Sequence, residues 1–199
     1  MFTTPRLIVI SLGAALNFSI GTVVYLVKLP LYLDSIGTIL VALLMAPDRK
    51  AAFVCALSAA WAGTAVSALV NPFLPWFAGT DIAIALVSAF VTLRAVEIFR
   101  ARPLRPVPFG ACVLLCGVAT GVVAAIVSAP VVAYLFGGVT GSGSAFVVAF
   151  FLKTGQQLVN AVVLSGLAAD PPDKVVQVLL AALLYRATPT EFLGMLRKP

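Results

Sequence analysis

The stretch Lys28-Leu29-Pro30-Leu31-Tyr32-Leu33-Asp34-Ser35-Ile36-Gly37-Thr38 decides how this chain is read. One apolar segment ends just before it and another begins just after it. Pro30 biases Leu29 away from helix. Asp34 or Ser35 is placed to cap the following helix by accepting from a free backbone N–H. The stretch reads as a loop at a membrane surface that leads a short helix back into the bilayer. In a binding protein it is the natural lid; otherwise it is a connector with a helix cap.

Composition sets the frame around that loop. The chain has 199 residues, 62% hydrophobic and 10% charged, with a mean hydropathy of +1.13. No soluble domain needs so much apolar surface, whereas a membrane domain is apolar both in its core and on its lipid face. The weak alternating signature of a barrel is absent, so the backbone must be helical. The expected fold is all-α: one integral membrane bundle of about six transmembrane helices. No soluble catalytic domain, nucleotide-binding domain or long linker fits beside them. The net charge is +6, but the cations sit in short loops, where they set orientation and do not mark a nucleic-acid surface. The chain has no histidine, the commonest metal ligand and acid–base group. Cys55, Cys112 and Cys116 lie in apolar segments and suit neither a disulfide framework nor a zinc site; they read as packing thiols. No catalytic residue, metal or cofactor is assigned. The first apolar segment suits a span better than a cleavable signal.

Working outward, spans are expected at about 7–27, 35–46, 51–70, 78–99, 109–136 and 145–168. In the first, Ser11, Ala15 and Ser19 form a small-residue stripe that admits a close helix neighbour, inside the protein or outside it. Asn17, on another face near mid-membrane, needs a polar partner. The second segment is short for a span, so the opening loop dips in or the membrane is locally thin. In the third, Ala59, Gly63 and Ser67 make a second small stripe, and Trp61 packs internally or faces lipid. Asn71–Phe77 is an interfacial loop with two prolines. Asp81 lies one turn into the fourth segment, where it favours the helix N-terminus or serves a site. Arg100, Arg102 and Arg105 mark the cytoplasmic side. Pro130 is expected to kink the fifth segment, and Gly117 and Gly121 form a GxxxG pair in it.

Gly137–Ser144 reads as a flexible loop on the outer side. The sixth segment carries Lys153, Gln156, Gln157 and Asn160, whose spacing places them on one helical face. Lys153 would then lie roughly 12 Å inward from the loop. Such a stripe must face protein or a watery cavity. Asp170-Pro171-Pro172-Asp173-Lys174 ends this segment, and about 173–186 forms a short helix on the cytoplasmic face. In the competing reading that tail is the final span and the sixth segment is re-entrant. The expected site is a pocket in the outer half, lined by Asn17, Asp81, Lys153, Gln156, Gln157 and Asn160, and covered by Tyr32 and Asp34. Lys153 would pair with Asp34 or Asp81, or with a carboxylate or phosphate on a ligand, and the amides would donate and accept hydrogen bonds.

Taken together, KLPLYLDSIGT, NPFLPWFAGTDIAI, FGGVTGSGS and DPPDK with its apolar tail resemble the substrate-binding S component of energy-coupling factor (ECF) transporters. The resemblance covers nearly the whole chain. It implies a six-helix protein of the bacterial inner membrane with both termini cytoplasmic. Such a protein binds a vitamin or related micronutrient near the outer surface. It couples to a transmembrane T subunit and two cytoplasmic ATPase subunits, and topples in the membrane to release cargo. Ser11, Ala15 and Ser19 match the spacing of the family's T-subunit contact, with serine at two positions where alanine is usual. The family's ligand-covering loop matches Lys28–Asp34. Motifs of the riboflavin, thiamine and biotin binders are not evident, which leaves the substrate open.

Two other classes compete. A multi-span sensor input domain would have a similar helix count and Asn-Pro loops, but no output segment follows in this sequence. A membrane enzyme is disfavoured by the lack of histidine, HExxH and clustered carboxylates. No GxxxxGK[ST] phosphate loop is present, so transport energy would come from partners.

Overall fold

A computed structural model describes residues 3–101 and 106–196, those at 95–101 and 106–109 as backbone only. Among them there is no strand. The helices are α1 (Thr4–Val27), α2 (Ile36–Met45), α3 (Arg49–Ser67), α4 (Ala78–Ala101), α5 (Pro106–Pro130), α6 (Ser144–Lys153), α7 (Leu158–Ala187) and α8 (Thr190–Leu196). Among the described residues, four stretches are long and apolar enough to cross a membrane: Thr4–Val27, Arg49–Ser67, Leu74–Arg94 and Gly110–Leu135. The outer surface is apolar, with Leu115, Tyr134 and Phe146 each more than two-thirds exposed at 69%, 76% and 72%. Polar side chains such as Thr38, Thr120 and Asp173 are buried inside. That inversion is what a lipid solvent demands, and it marks an integral membrane protein.

α2 is the axis of the bundle. Every residue in it except Leu43 is buried. Gly37 meets the backbone of Gly13 so closely that neither position has room for a Cβ. Gly21 touches Asp34, which places Asp34 about 10 Å below the end of α1 at 1.5 Å per residue. The opening loop therefore dips into the bundle, and ten residues of α2 are enough to reach the far side. Neither Asp34 nor Ser35 caps α2, contrary to the sequence expectation. The cap comes from α1: Asn17 Oδ1 accepts from Gly37 N at 2.7 Å, and Asn17 Nδ2 donates to Thr38 Oγ1 at 2.8 Å. The free N–H groups of a helix start need an acceptor. A buried amide that also needs partners supplies one.

At the opposite end, Asp48 caps α3 by accepting from Ala51 N at 3.1 Å and pairs with Arg6 at 3.1 Å. The Ala51 N–H, and after it Arg6, hold Asp48 below the usual carboxylate range. α1 and α3 run parallel, with Gly63 against Asn17 and Ala59 against Gly13. α5 and α7 run antiparallel in the most extensive helix contact of the bundle. Gly117 meets the Val175 backbone and Gly121 the Pro171 backbone. The GxxxG pair is thus used within the chain.

Two expectations fail here. The sixth segment is not one helix over 145–168. α6 ends at Lys153, Thr154–Gln157 breaks the helix with Gly155 at φ +88°, and a new helix starts at Leu158. Nor does Asp170–Lys174 end a segment. α7 runs unbroken through Pro171 and Pro172 for 30 residues, about 45 Å. Interior prolines normally break a helix; here the glycines of α5 admit the proline backbone and the packing holds it. The tail at 173–186 is therefore the second half of a long helix and not a separate short one. Ser144 and Val148 of α6 lie beside Ser165 and Val162 of α7, so α6 and the start of α7 form a hairpin with Lys153–Gln157 at its tip. Of the expected arginine cluster, Arg100 is described as backbone only at the end of α4, while Arg102 and Arg105, like Arg197 and Lys198, lie outside the described residues.

Candidate functional site

The dipping loop leaves a pocket of about 140 Å³ at the end of the bundle that carries residues 28–35, 71–77 and 137–143. α1 contributes Asn17 and Tyr25 to its walls, α3 contributes Thr64, α4 contributes Thr80 and Asp81, and α7 contributes Asp170 and Lys174. Tyr32 and Asp34 come from the loop, and Leu74, Phe77, Ile84 and Val132 supply apolar wall.

The ion cluster forms because α7 presents Asp170, Asp173, Lys174 and Gln177 along one face. All four are buried. Lys174 Nζ lies 3.1 Å from Asp34 Oδ1 and 3.0 Å from Asp173 Oδ2. Asp173 Oδ1 accepts from Tyr32 N at 3.1 Å and Leu33 N at 3.0 Å. Its Oδ2 accepts from Gln177 Nε2 at 2.7 Å, while Gln177 Oε1 accepts from Ser35 N at 2.9 Å. Two consecutive turns of α7, through Asp173 and Gln177, therefore satisfy the loop's backbone donors, which would otherwise be stranded away from water. Leu33 sits at φ +48°, the bend that turns its N–H toward Asp173. The Tyr32 hydroxyl donates to Ser144 Oγ at 2.9 Å, which continues through Ser142 to Thr140 at 2.8 Å per step. Lys28 Nζ donates to Gly141 O and stands 4.6 Å over the Tyr25 ring. Across the pocket, Thr64 Oγ1 donates to Asp81 Oδ2 at 2.6 Å.

Of the residues expected at the site, Asn17, Tyr32, Asp34 and Asp81 line this pocket. Asn17 does so with its amide already bonded to α2. Lys153, Gln156, Gln157 and Asn160 do not line it; they are exposed at or beside the hairpin tip. Their helical face does not exist, because the break at Thr154–Gln157 separates Lys153 from Asn160. Lys153 therefore makes no pair with Asp34 or Asp81, and the buried cation is Lys174 instead. Its signal was present in the sequence: Asp170, Asp173, Lys174 and Gln177 carry the helical stripe spacing. The prolines between them hid it. Ser11, Ala15 and Ser19 lie exposed on α1, so the stripe is left open by the described residues. Trp61 also faces outward. Among the described residues, no group of three or more carboxylate or cysteine side chains is arranged to hold a metal ion.

No known family model, curated protein or solved structure matches this chain.

Proposed function

We propose that this chain is a substrate-binding membrane subunit of the ECF type, which captures a vitamin or related micronutrient and works with a transmembrane T subunit and two ATPase subunits. The observation that carries this reading is the pocket under the 28–35 loop, which combines buried ionic groups with apolar wall at one end of a membrane bundle. Buried charge within a membrane bundle is expensive and marks functional sites. The exposed stripe Ser11, Ala15 and Ser19 supports it, since small residues on an outward face let a partner helix approach closely. On this reading the pocket faces outside, and the end with Arg6 and Asp48 faces the cytoplasm of a bacterial cell.

The test is co-expression with candidate T and ATPase subunits, with wild type compared to Ala15→Trp. Retained ligand binding with lost co-purification and lost uptake is the expected result. Normal assembly and uptake by the variant would show that the stripe serves something else.

A further inference from the structure

The charges around the pocket do not balance. Lys174 is the one cation among the lining residues, and it is already held between Asp34 and Asp173. Two lining carboxylates remain. Asp81 has a single hydroxyl donor, from Thr64. Asp170 is only 4% exposed, lines the pocket, and has no hydrogen-bond or ion-pair partner among the described residues. Beside Asp81, the Thr80 hydroxyl lines the same pocket, is 8% exposed and also lacks a partner. Native structures rarely leave such groups unsatisfied, and an unpaired buried carboxylate is the more expensive case.

We propose that the pocket takes a small organic cation, with its N–H donors directed at Asp81 and Asp170 and its apolar body against Phe77 and its neighbours. This rests on reading the pocket as the substrate site. The carboxylates come from separate helices and do not converge into a metal-binding group. That spread suits an extended cation with several donors better than a bare metal ion. The volume of about 140 Å³ is close to that of a cavity known to hold one six-membered ring. An anionic ligand, which the sequence had paired with Lys153, would meet carboxylates with no spare cation.

The probes are three one-ring molecules of matched shape: benzamidinium, benzamide and benzoate. Binding to the full chain in lipid nanodiscs is followed by calorimetry. Hydrogen bonds to an ionised group are roughly twice as strong as neutral ones, so benzamidinium should bind at least about tenfold more tightly than benzamide. Benzoate should be weakest. Asp170→Asn should erase most of that preference while the protein still folds, because the change removes an unpaired charge. If that variant fails to fold, Asp81→Asn is expected to show the same loss. Equal response to all three probes, no response to any, or a preference for benzoate overturns the proposal. So does a cation preference that survives both substitutions. Native mass spectrometry separates the two levels of inference. A neutral or anionic ligand in a transport-competent protein defeats the cation proposal and leaves the transport reading intact. A cation preference in a chain that neither assembles with partners nor supports uptake does the reverse.

Discussion

Two tetrads in this chain have the same spacing and opposite fates. Lys153, Gln156, Gln157 and Asn160 repeat the offsets of Asp170, Asp173, Lys174 and Gln177. The first lies exposed at a hairpin tip, and the second is buried against the pocket loop. Periodicity places residues on one face only if the helix is continuous. The local signals argued the wrong way in both cases. Gly155 alone is a weak breaker, yet the chain breaks there. Pro171-Pro172 is a strong breaker, yet the helix runs through it. What separates the tetrads is what faces them. The second meets the stranded backbone donors of Tyr32, Leu33 and Ser35, and its helix meets the bare glycine face of α5. The first has no such partners among the described residues.

The comparison breaks most readily at its two lysines. Lys174→Met leaves Asp34 and Asp173 without their cation and should destabilise the protein by about 3–5 kcal/mol, the usual result of splitting a buried ion pair. Thermal unfolding of the purified chain reads this directly, and a loss below about 1 kcal/mol would mean the cluster is not ionic as drawn. Asp173→Asn comes next, at about 1.5–3 kcal/mol, because the new amide N–H₂ would face the donors of Lys174 and Gln177. Protease nicking near residues 28–35 should rise with it if Asp173 holds that loop in place; unchanged nicking would show that other bonds hold it.

Smaller effects sharpen the contrast. Gly121→Val pushes a side chain into the Pro171 backbone and should destabilise by about 1–3 kcal/mol, as overpacking does. If it is neutral, the glycine face is not what carries α7 through its prolines. Gly155→Ala should lose about 1–2 kcal/mol, because its backbone stands at φ +88°, where an L side chain is strained; a gain in stability would mean the tip is better helical than broken. Smallest of all, Lys153→Met and Gln156→Leu should change stability by less than about 0.5 kcal/mol. A large loss from either would restore the first tetrad to a structural role.

Much of the fold was legible because hydrophobicity dictates it. The first five expected segments lie within two or three residues of α1 to α5 at most of their ends, with the fifth running through the π-helical turn to Leu135. The dip of the opening loop was legible from the shortness of α2. The pocket lining was legible where polar residues flank a clear boundary, as Tyr32, Asp34 and Asp81 do, or interrupt an apolar run, as Asn17 does. It was not legible in α7, because a Pro-Pro pair flanked by charges is the usual signature of a surface turn. Only tertiary packing overrules that signature, and packing partners separated by about fifty residues leave no local trace. The cap of α2 was misassigned for the same reason, since Asn17 reaches it from another helix.

The grip of Asp173 on the peptide N–H groups of positions 32 and 33 has an evolutionary consequence. It recognises main chain and is indifferent to which side chain each position bears. The residue at 32 can therefore drift while the loop keeps its place, with proline excluded because it brings no N–H, whereas position 33 must also tolerate its φ of +48°. A lineage could revise what the pocket accepts by changing loop side chains one at a time, with the scaffold that positions them left untouched.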